Sequence, residues 1–342
     1  MTIEQIKDKL KSKEYDFLRT DKNLGNNIII LTLGGSHAYG TNNEGSDLDI
    51  RGCALNSKMQ ILTNENFEQF VNNETDTTIY AFNKLVALLS NTNPNTIEML
   101  GNKPEHYFYV SSIGQELIDN AHLFLSKRAC HSFGGYANQQ LYRLNQKAAH
   151  QMSLSELEKH ILKTLEFMQT DFTKKYTPYS DDSMKLYIDK AVQEGYDTEI
   201  FMDVNLTHYP LRDYCSMWNE LQNTVRQYGK IGKRNEKAIE HGKIAKHSMH
   251  LIRLYMMCLD ILEKERIITY REDEHDLLMD IRNGKYLDSN DQPIPEFFEM
   301  VNDYEKRLDY AKKNTNLPDN PDYKKINEFV ASVNERVVKG EI

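Results

Sequence analysis

The segment from Leu33 to Gly52, LGGSHAYGTNNEGSDLDIRG, constrains the fold of this chain more than any other part of the sequence. It follows Ile28–Leu33, a β-branched run between asparagines and glycines that is typical of a buried strand. The glycines end that strand, and a short helix can start near Ser36 and end at Gly40. A helix that begins directly after a strand leaves its first backbone N–H groups without partners. The segment therefore predicts a sheet edge that presents backbone donors.

Gly34, Gly35 and Ser36 have the composition of a phosphate-binding turn. Glycine lets a bulky anion approach the backbone, a serine hydroxyl adds a hydrogen bond, and the start of a helix favours negative charge. Such turns are also common where no phosphate binds. The prediction of a phosphate site here depends on the residues that follow.

A second strand is predicted to begin at Asp47, with Asp47, Asp49 and Arg51 on one face and apolar residues on the other. Two carboxylates on one strand face repel each other, which an ordinary core does not tolerate. A divalent cation makes the pair favourable, because carboxylate oxygens are the ligands that Mg²⁺ prefers. The alternative is a solvent-facing strand edge. We predict that Asp47 and Asp49 are metal ligands.

Together these motifs resemble the nucleotidyltransferase superfamily that includes DNA polymerase β. The resemblance is closest to the predicted nucleotidyltransferase branch associated with RNA repair in bacteria and phages, whose patterns are similar to GSxxYGT followed by SDxDxRG. This sequence has GSHAYGT at residues 35–41 and SDLDIRG at residues 46–52. His37 stands where arginine is expected in many relatives, so a phosphate contact there would be weaker and dependent on pH.

The predicted fold class is α+β. The resemblance implies a small mixed β-sheet nucleotidyltransferase domain, similar to the palm of polymerase β, over residues 1–125. From about residue 111 onward helical patterns dominate, including a predicted helix at residues 184–193. We therefore expect an all-helical domain over residues 126–342.

The resemblance also implies site residues. It implies that Tyr39 and Ser46 join the glycine turn in binding the nucleotide. The third carboxylate is expected at Asp76, with Glu74 as the alternative, so that Asp47, Asp49 and Asp76 are both catalytic residues and metal ligands. The expected metal is Mg²⁺, with Mn²⁺ as a second option, and the expected substrate is a nucleoside triphosphate.

A basic segment lies in the helical part. Between Arg226 and Arg253 there are eight Lys and Arg residues against two Glu, in a chain of net charge −9. One polar stripe is predicted on a helix over residues 235–263, formed by Lys243, Lys246, His247, His250 and Arg253. The ordinary interpretation is a solvated charged face. The functional interpretation is a cationic surface that binds the nucleotide or the phosphates of an acceptor.

The sequence thus predicts transfer of a nucleoside monophosphate to a hydroxyl acceptor, with release of pyrophosphate. The expected acceptor is an RNA end, of tRNA or of repaired RNA. Alternatives are a protein acceptor, as for an antitoxin-like AMPylase, and a catalytically inactive nucleotide- or RNA-binding module. The sequence shows no apolar run of membrane-spanning length and no secretory signal. We therefore expect no membrane partner and a cytoplasmic protein, located in the host cytoplasm if a phage encodes it.

Overall fold

The computed structural model describes residues 1–137, 154–190, 192, 198–228, 243–289 and 293–342. The chain forms two compact units. The first, the sheet unit, comprises Met1–Tyr142, Ala245–Ser289 and Pro293–Ile342. The second, the hairpin unit, comprises Arg143–Ile244 and Asn290–Gln292. The chain therefore leaves the sheet unit and returns to it. These two units differ from the predicted division into a catalytic domain (1–125) and a helical domain (126–342). That division stays a prediction.

A mixed five-stranded sheet organises the sheet unit, in the order β3-β4-β2-β1-β5. Strands β2 and β4 are parallel, and the other neighbours are antiparallel. This confirms the predicted α+β class with an N-terminal mixed sheet. The strands are β1 (Ile28–Leu33), β2 (Ile50–Ala54), β3 (Gln69–Asn72), β4 (Thr77–Ala81) and β5 (Tyr107–Val110).

The start of β2 differs from the prediction. The strand was expected from Asp47, but it begins at Ile50, so Asp47 and Asp49 precede it. The backbone of Asp49 still joins the sheet edge, because its carbonyl accepts a hydrogen bond from the N–H of Gly34 at 2.9 Å. No such backbone hydrogen bond joins Asp47 to a neighbouring strand among the described residues. The two aspartates therefore do not share one strand face as the alternation suggested.

Both faces of the sheet are covered. All six residues of β1 are buried, as expected for a strand packed on both sides. On one face, Ile29 and Ile30 join a core with residues of the helices that follow residue 245, including Leu254 and Val333. On the other face, Leu31 packs in a second core with residues of the N-terminal helix.

The sheet unit contains helices before and after the inserted hairpin unit. Those in the first part are α1 (Ile3–Leu10), α2 (Phe17–Thr20), α3 (Gly35–Tyr39), α4 (Lys58–Leu62), α5 (Phe82–Ser90), α6 (Pro94–Ile97), α7 (Ser112–Asp119) and α8 (128–137). Those in the second part are α11 (Lys243–Lys264), whose first two residues are in the hairpin unit, α12 (His275–Arg282), α13 (Pro295–Asn314) and α14 (Tyr323–Lys339).

The hairpin unit contains α9 (Leu154–Lys175), β6 (Met184–Lys190), β7 (Thr198–Val204) and α10 (Leu211–Tyr228). The helix predicted at residues 184–193 is wrong, because residues 184–190 form an antiparallel strand paired with β7. Met184 and Leu186 are buried while Lys185 between them is exposed, which is the two-residue period of a strand. The C-terminal region is nevertheless largely helical.

Among the described residues, none of the helices has the length and apolar character needed to cross a lipid bilayer.

Candidate active site

The turn between β1 and α3 packs against the side chains of Asp49, which precedes β2, and Arg51, which lies in β2. Gly35 has a positive φ of 57°, and a Cβ atom on it would lie 1.9 Å from Oδ2 of Asp49. A Cβ atom on Gly34 would lie 2.7 Å from Cγ of Arg51. Both glycines are therefore required because Asp49 and Arg51 occupy the space beside the turn. Phosphate binding at Gly34, Gly35 and Ser36 stays a prediction, and Ser36 is buried at 8% exposure.

Asp49 and Asp76 are neighbours across two parallel strands. Ile50 of β2 pairs with Thr77 of β4, and the N–H of Ile50 donates to the carbonyl oxygen of Asp76 at 3.1 Å. The residue that precedes each strand is therefore brought to the same edge of the sheet. Asp76 has a positive φ of 44°, a conformation that aspartate tolerates better than most residues.

The guanidinium of Arg51 bonds to both acidic residues. Its Nη2 lies 3.0 Å from Oδ1 of Asp49, and its Nη1 donates to the carbonyl oxygen of Asp76 at 2.8 Å. Both of its terminal nitrogens lie 3.4 Å from Oδ1 of Asp76. One cation thus links the two carboxylates at the sheet edge.

Burial raises the pKa of the Asp49 carboxyl to about 7. The positive charge of Arg51 opposes this rise, while a hydrogen bond to Asp76 and the nearby charges of Asp76 and Glu98 add to it. Burial and these neighbours therefore shift Asp49 toward its neutral form, and a further cation at this sheet edge would favour the ionised form.

The structure does not assemble the three predicted ligands. Asp47 is exposed, and within the described residues no group of three or more His, Cys, Asp and Glu side chains is arranged to hold a metal ion. Glu74, the alternative third carboxylate, is exposed in the turn that precedes Asp76. Protein sites for Mg²⁺ commonly supply one or two carboxylates and complete the shell with substrate phosphates and water. The chemistry of Asp49 and Asp76 fits such a site.

Tyr39 belongs to a buried polar network. Its hydroxyl lies 2.9 and 2.8 Å from the two carboxylate oxygens of Glu98. The guanidinium carbon of Arg253 lies 3.6 Å from the centre of the Tyr39 ring, and its Nη1 is 3.3 Å from Oε2 of Glu98. Tyr39 and Arg253 are each 4% exposed. The geometry gives both residues a structural role that fixes α3, and nucleotide contact by either stays a prediction.

The remaining cations of the predicted stripe have different environments. Lys246 is exposed, whereas His247 and His250 are half-buried. Burial, followed by the charges of Arg253 and Lys246, lowers the pKa of His250 well below its usual value. The side chain of Lys243 and the basic residues from 229 to 242 lie outside the described residues. A single solvent-facing cationic stripe is therefore not what the described part of α11 presents.

Ser46 is held in the loop that leads to Asp47. Its hydroxyl accepts from Nη2 of Arg282 at 3.0 Å, and Nη1 of Arg282 donates to the carbonyl oxygen of Thr41. His37 is 7% exposed, and burial lowers its pKa. Ser46 thus fastens the loop to α12, and its predicted nucleotide contact stays a prediction.

Sequence reasoning assigned no role to Arg51, Glu98 or Arg282. Arg51 carried a usable signal, because its two-residue spacing from Asp49 placed it on the same side. Glu98 lies 155 residues from Arg253, and Arg282 lies 236 residues from Ser46. Nothing local in the sequence predicts contacts at such separations.

A mixed sheet with a glycine turn and two acidic residues at one edge is the arrangement expected of a polymerase β-like nucleotidyltransferase. The chain belongs to the RNA repair pathway DNA polymerase beta family (RlaP), which matches residues 10–332. Neither the curated proteins nor the solved structures contain a detectable match to this chain.

Proposed function

We propose that this protein transfers a nucleoside monophosphate from a nucleoside triphosphate to a hydroxyl group of an RNA end, using Mg²⁺ or Mn²⁺. The observation that carries the proposal is the position of Asp49, whose carboxylate lies against Gly35 and shares Arg51 with Asp76. A turn of the phosphate-binding type and two carboxylates therefore meet at one sheet edge. Membership of the RNA repair family supports the same activity.

The proposal assigns phosphate binding to the glycine turn and metal binding to the acidic residues. Gly35 and Ser36 bind the β- and γ-phosphates through backbone N–H groups and the serine hydroxyl. Asp49 and Asp76 would hold the divalent metal, with Asp47 as the further ligand that the family resemblance implies. A metal held there would supply positive charge to the triphosphate and to the leaving pyrophosphate.

The acceptor hydroxyl is proposed to attack the α-phosphorus in line, with Asp76 accepting its proton. The new bond joins the acceptor oxygen to the α-phosphorus, and the bond to the bridging oxygen of the β-phosphate breaks. Pyrophosphate leaves with that oxygen. The protein contributes position and charge and forms no covalent intermediate.

An RNA acceptor is favoured by the family and by the excess of Lys and Arg between Arg226 and Arg253. Phosphate contacts from Lys and Arg supply most of the nonspecific affinity of proteins for nucleic acid. A protein acceptor and a catalytically inactive binding module remain the alternatives, and the experiment below distinguishes them.

The test incubates the full chain with each α-labelled nucleoside triphosphate, Mg²⁺, and either tRNA and nicked RNA or a cell lysate. Asp49→Asn is the site variant, and Asp303→Asn, which alters an exposed carboxylate paired with Lys306 on α13, is the matched control. We expect label on RNA with wild type and the control, and loss of labelling with Asp49→Asn. Label on a polypeptide would replace RNA by a protein acceptor, and nucleotide binding without transfer would refute the catalytic proposal.

A further inference from the structure

The side chain of Arg51 is built into the edge of the sheet. Its side chain is 19% exposed, and its Cγ lies 2.7 Å from the position that a Cβ atom on Gly34 would occupy. Its terminal nitrogens reach four acceptors on two different strand ends, namely the carboxylates of Asp49 and Asp76 and the carbonyl oxygens of Ile50 and Asp76. A guanidinium with these partners is held at the acidic pair by several hydrogen bonds at once, unlike a flexible surface cation.

The same carboxylate oxygens are those that a divalent metal would need. Oδ1 of Asp49 and Oδ1 of Asp76 both face the guanidinium. While Arg51 is in place, a metal ion meets carboxylates whose charge is already compensated, next to a like charge that repels it. Arg51 therefore competes with the metal for these two side chains.

Arg51 also lies beside the turn that is proposed to receive the triphosphate. Its stem packs against Gly34, the residue before the two that would bind phosphate. Guanidinium groups bind phosphate oxygens, as they bind carboxylates, through paired, charge-assisted hydrogen bonds. A triphosphate at the turn would offer Arg51 new partners without a large movement of its stem.

We propose that Arg51 is a positioning residue that couples metal binding to nucleotide binding. Before substrate arrives, it holds Asp49 and Asp76 together and excludes free divalent ions. When the triphosphate binds, its oxygens attract the guanidinium and release the carboxylates for the metal. The inference rests on the proposed function of this site, and it predicts that the metal binds together with the nucleotide.

The test measures Mn²⁺ binding to the full-length protein from the electron paramagnetic resonance signal of free Mn²⁺, with and without a methylene-bridged, nonreactive triphosphate. Arg51→Gln removes the charge, and Arg51→Lys keeps the charge but not the two-pronged geometry. Arg307→Gln, which breaks an ion pair with Glu263 elsewhere in the sheet unit, is the matched control. Thermal unfolding monitored by circular dichroism confirms that each variant is folded.

We expect wild type, Arg51→Lys and Arg307→Gln to bind Mn²⁺ weakly without nucleotide. Arg51→Gln should bind Mn²⁺ alone at least about tenfold more tightly, a change of about 1.4 kcal/mol. Adding Asp49→Asn to Arg51→Gln should abolish that gain, which assigns it to this site. If Arg51 only held Asp49 and Asp76 in place, Arg51→Gln would let the two carboxylates move apart and would weaken Mn²⁺ binding instead of tightening it.

The two possible failures are distinguishable. If wild type binds Mn²⁺ alone as tightly as Arg51→Gln does, or if Arg51→Gln shows no gain while wild type binds Mn²⁺ with nucleotide, the role of Arg51 is refuted and the proposed function stands. If no protein binds Mn²⁺ beyond what the free nucleotide binds, the metal site itself is refuted.

Discussion

The hydroxyl group of Tyr39 lies within 2.9 Å of both carboxylate oxygens of Glu98, in the interior of the sheet unit. Arg253 stacks on the same tyrosine ring and contacts the same carboxylate. Three residues from three different parts of the chain thus fix the short helix that carries Ser36. Because all three side chains are buried, removing the charge of one of them should change the free energy of unfolding by a measurable amount.

Glu98→Gln should destabilise the protein by about 3 kcal/mol, because it leaves the Arg253 guanidinium buried without a counter-charge. The measurement is the free energy of unfolding in urea. Glu305→Gln is the matched control, since Glu305 also accepts from a tyrosine hydroxyl, that of Tyr255, but is itself exposed. It should cost no more than about 1 kcal/mol. Equal costs for the two variants would contradict a stabilising role for the Glu98–Arg253 pair.

Gly35→Ala should displace the Asp49 carboxylate as well as strain the backbone. The comparison is Gly340→Ala, because Gly340 has a similar positive φ of 74° but open space where the Cβ atom would be. Backbone strain alone should cost Gly340→Ala about 1–2 kcal/mol. Gly35→Ala should cost more and should also lose nucleotide-dependent Mn²⁺ binding. Retention of that binding would show that Asp49 does not need its place against Gly35.

The contribution of His250 to stability should decrease as the pH falls from 7.5 to 5.5. Its pKa is lowered in the folded state by burial and by the charges of Arg253, Lys246, His247 and Arg282. Below the ordinary histidine pKa of about 6.5, the unfolded chain therefore binds a proton that the folded chain does not. His250 thus contributes stability above that pH and loses it as the pH falls.

The measurement for His250 is the difference in free energy of unfolding between pH 7.5 and pH 5.5 for wild type and for His250→Gln. Acidification from pH 7.5 to pH 5.5 should lower the free energy of unfolding of wild type, relative to that of His250→Gln, by about 1 kcal/mol, the scale of a one-unit difference in pKa. Equal changes in the two proteins would contradict this prediction.

Arg282→Gln should loosen the loop that connects α3 to Asp47. The guanidinium donates to the carbonyl oxygen of Thr41 and to the hydroxyl of Ser46, so its loss removes both attachments. Hydrogen exchange of peptide 41–47 should accelerate by about tenfold, which corresponds to about 1.4 kcal/mol of local stability. Ser46→Ala, which removes one attachment only, should give a smaller increase, and unchanged exchange in Arg282→Gln would exclude the fastening role.

The sequence predicted the sheet edge well because its signals are local. The apolar run at Ile28–Leu33 and the two glycines after it marked the strand and the turn, and both lie where they were expected. Asp49 directly precedes β2 and Asp76 directly precedes β4, and the two strands are parallel neighbours, so both residues lie at the same edge of the sheet. The predicted start of the second strand at Asp47 was wrong, because β2 begins three residues later, at Ile50, and the role of Asp47 as a metal ligand stays a prediction.

Other features depend on packing between distant segments. Helical spacing correctly placed Lys246, His250 and Arg253 along one helix, but it could not show that α11 turns Arg253 into the core toward Glu98. Strand β6 was mistaken for part of a helix over residues 184–193, because a run of seven residues is too short for its period to decide between strand and helix. In each case the structure depends on contacts with segments that are distant in the sequence, and a single sequence does not show those contacts.

The return of the chain to the sheet unit at residue 245 affects how the protein is made. The layer on one face of the sheet includes Leu254, Ile326 and Val333, so residues 1–137 alone expose an unfinished apolar surface. During translation that surface stays open until the segments that follow residue 245 have been made. Nascent chains of this protein should therefore depend on chaperones until late in synthesis, and the proposed transfer activity should arise only after the last helices have docked.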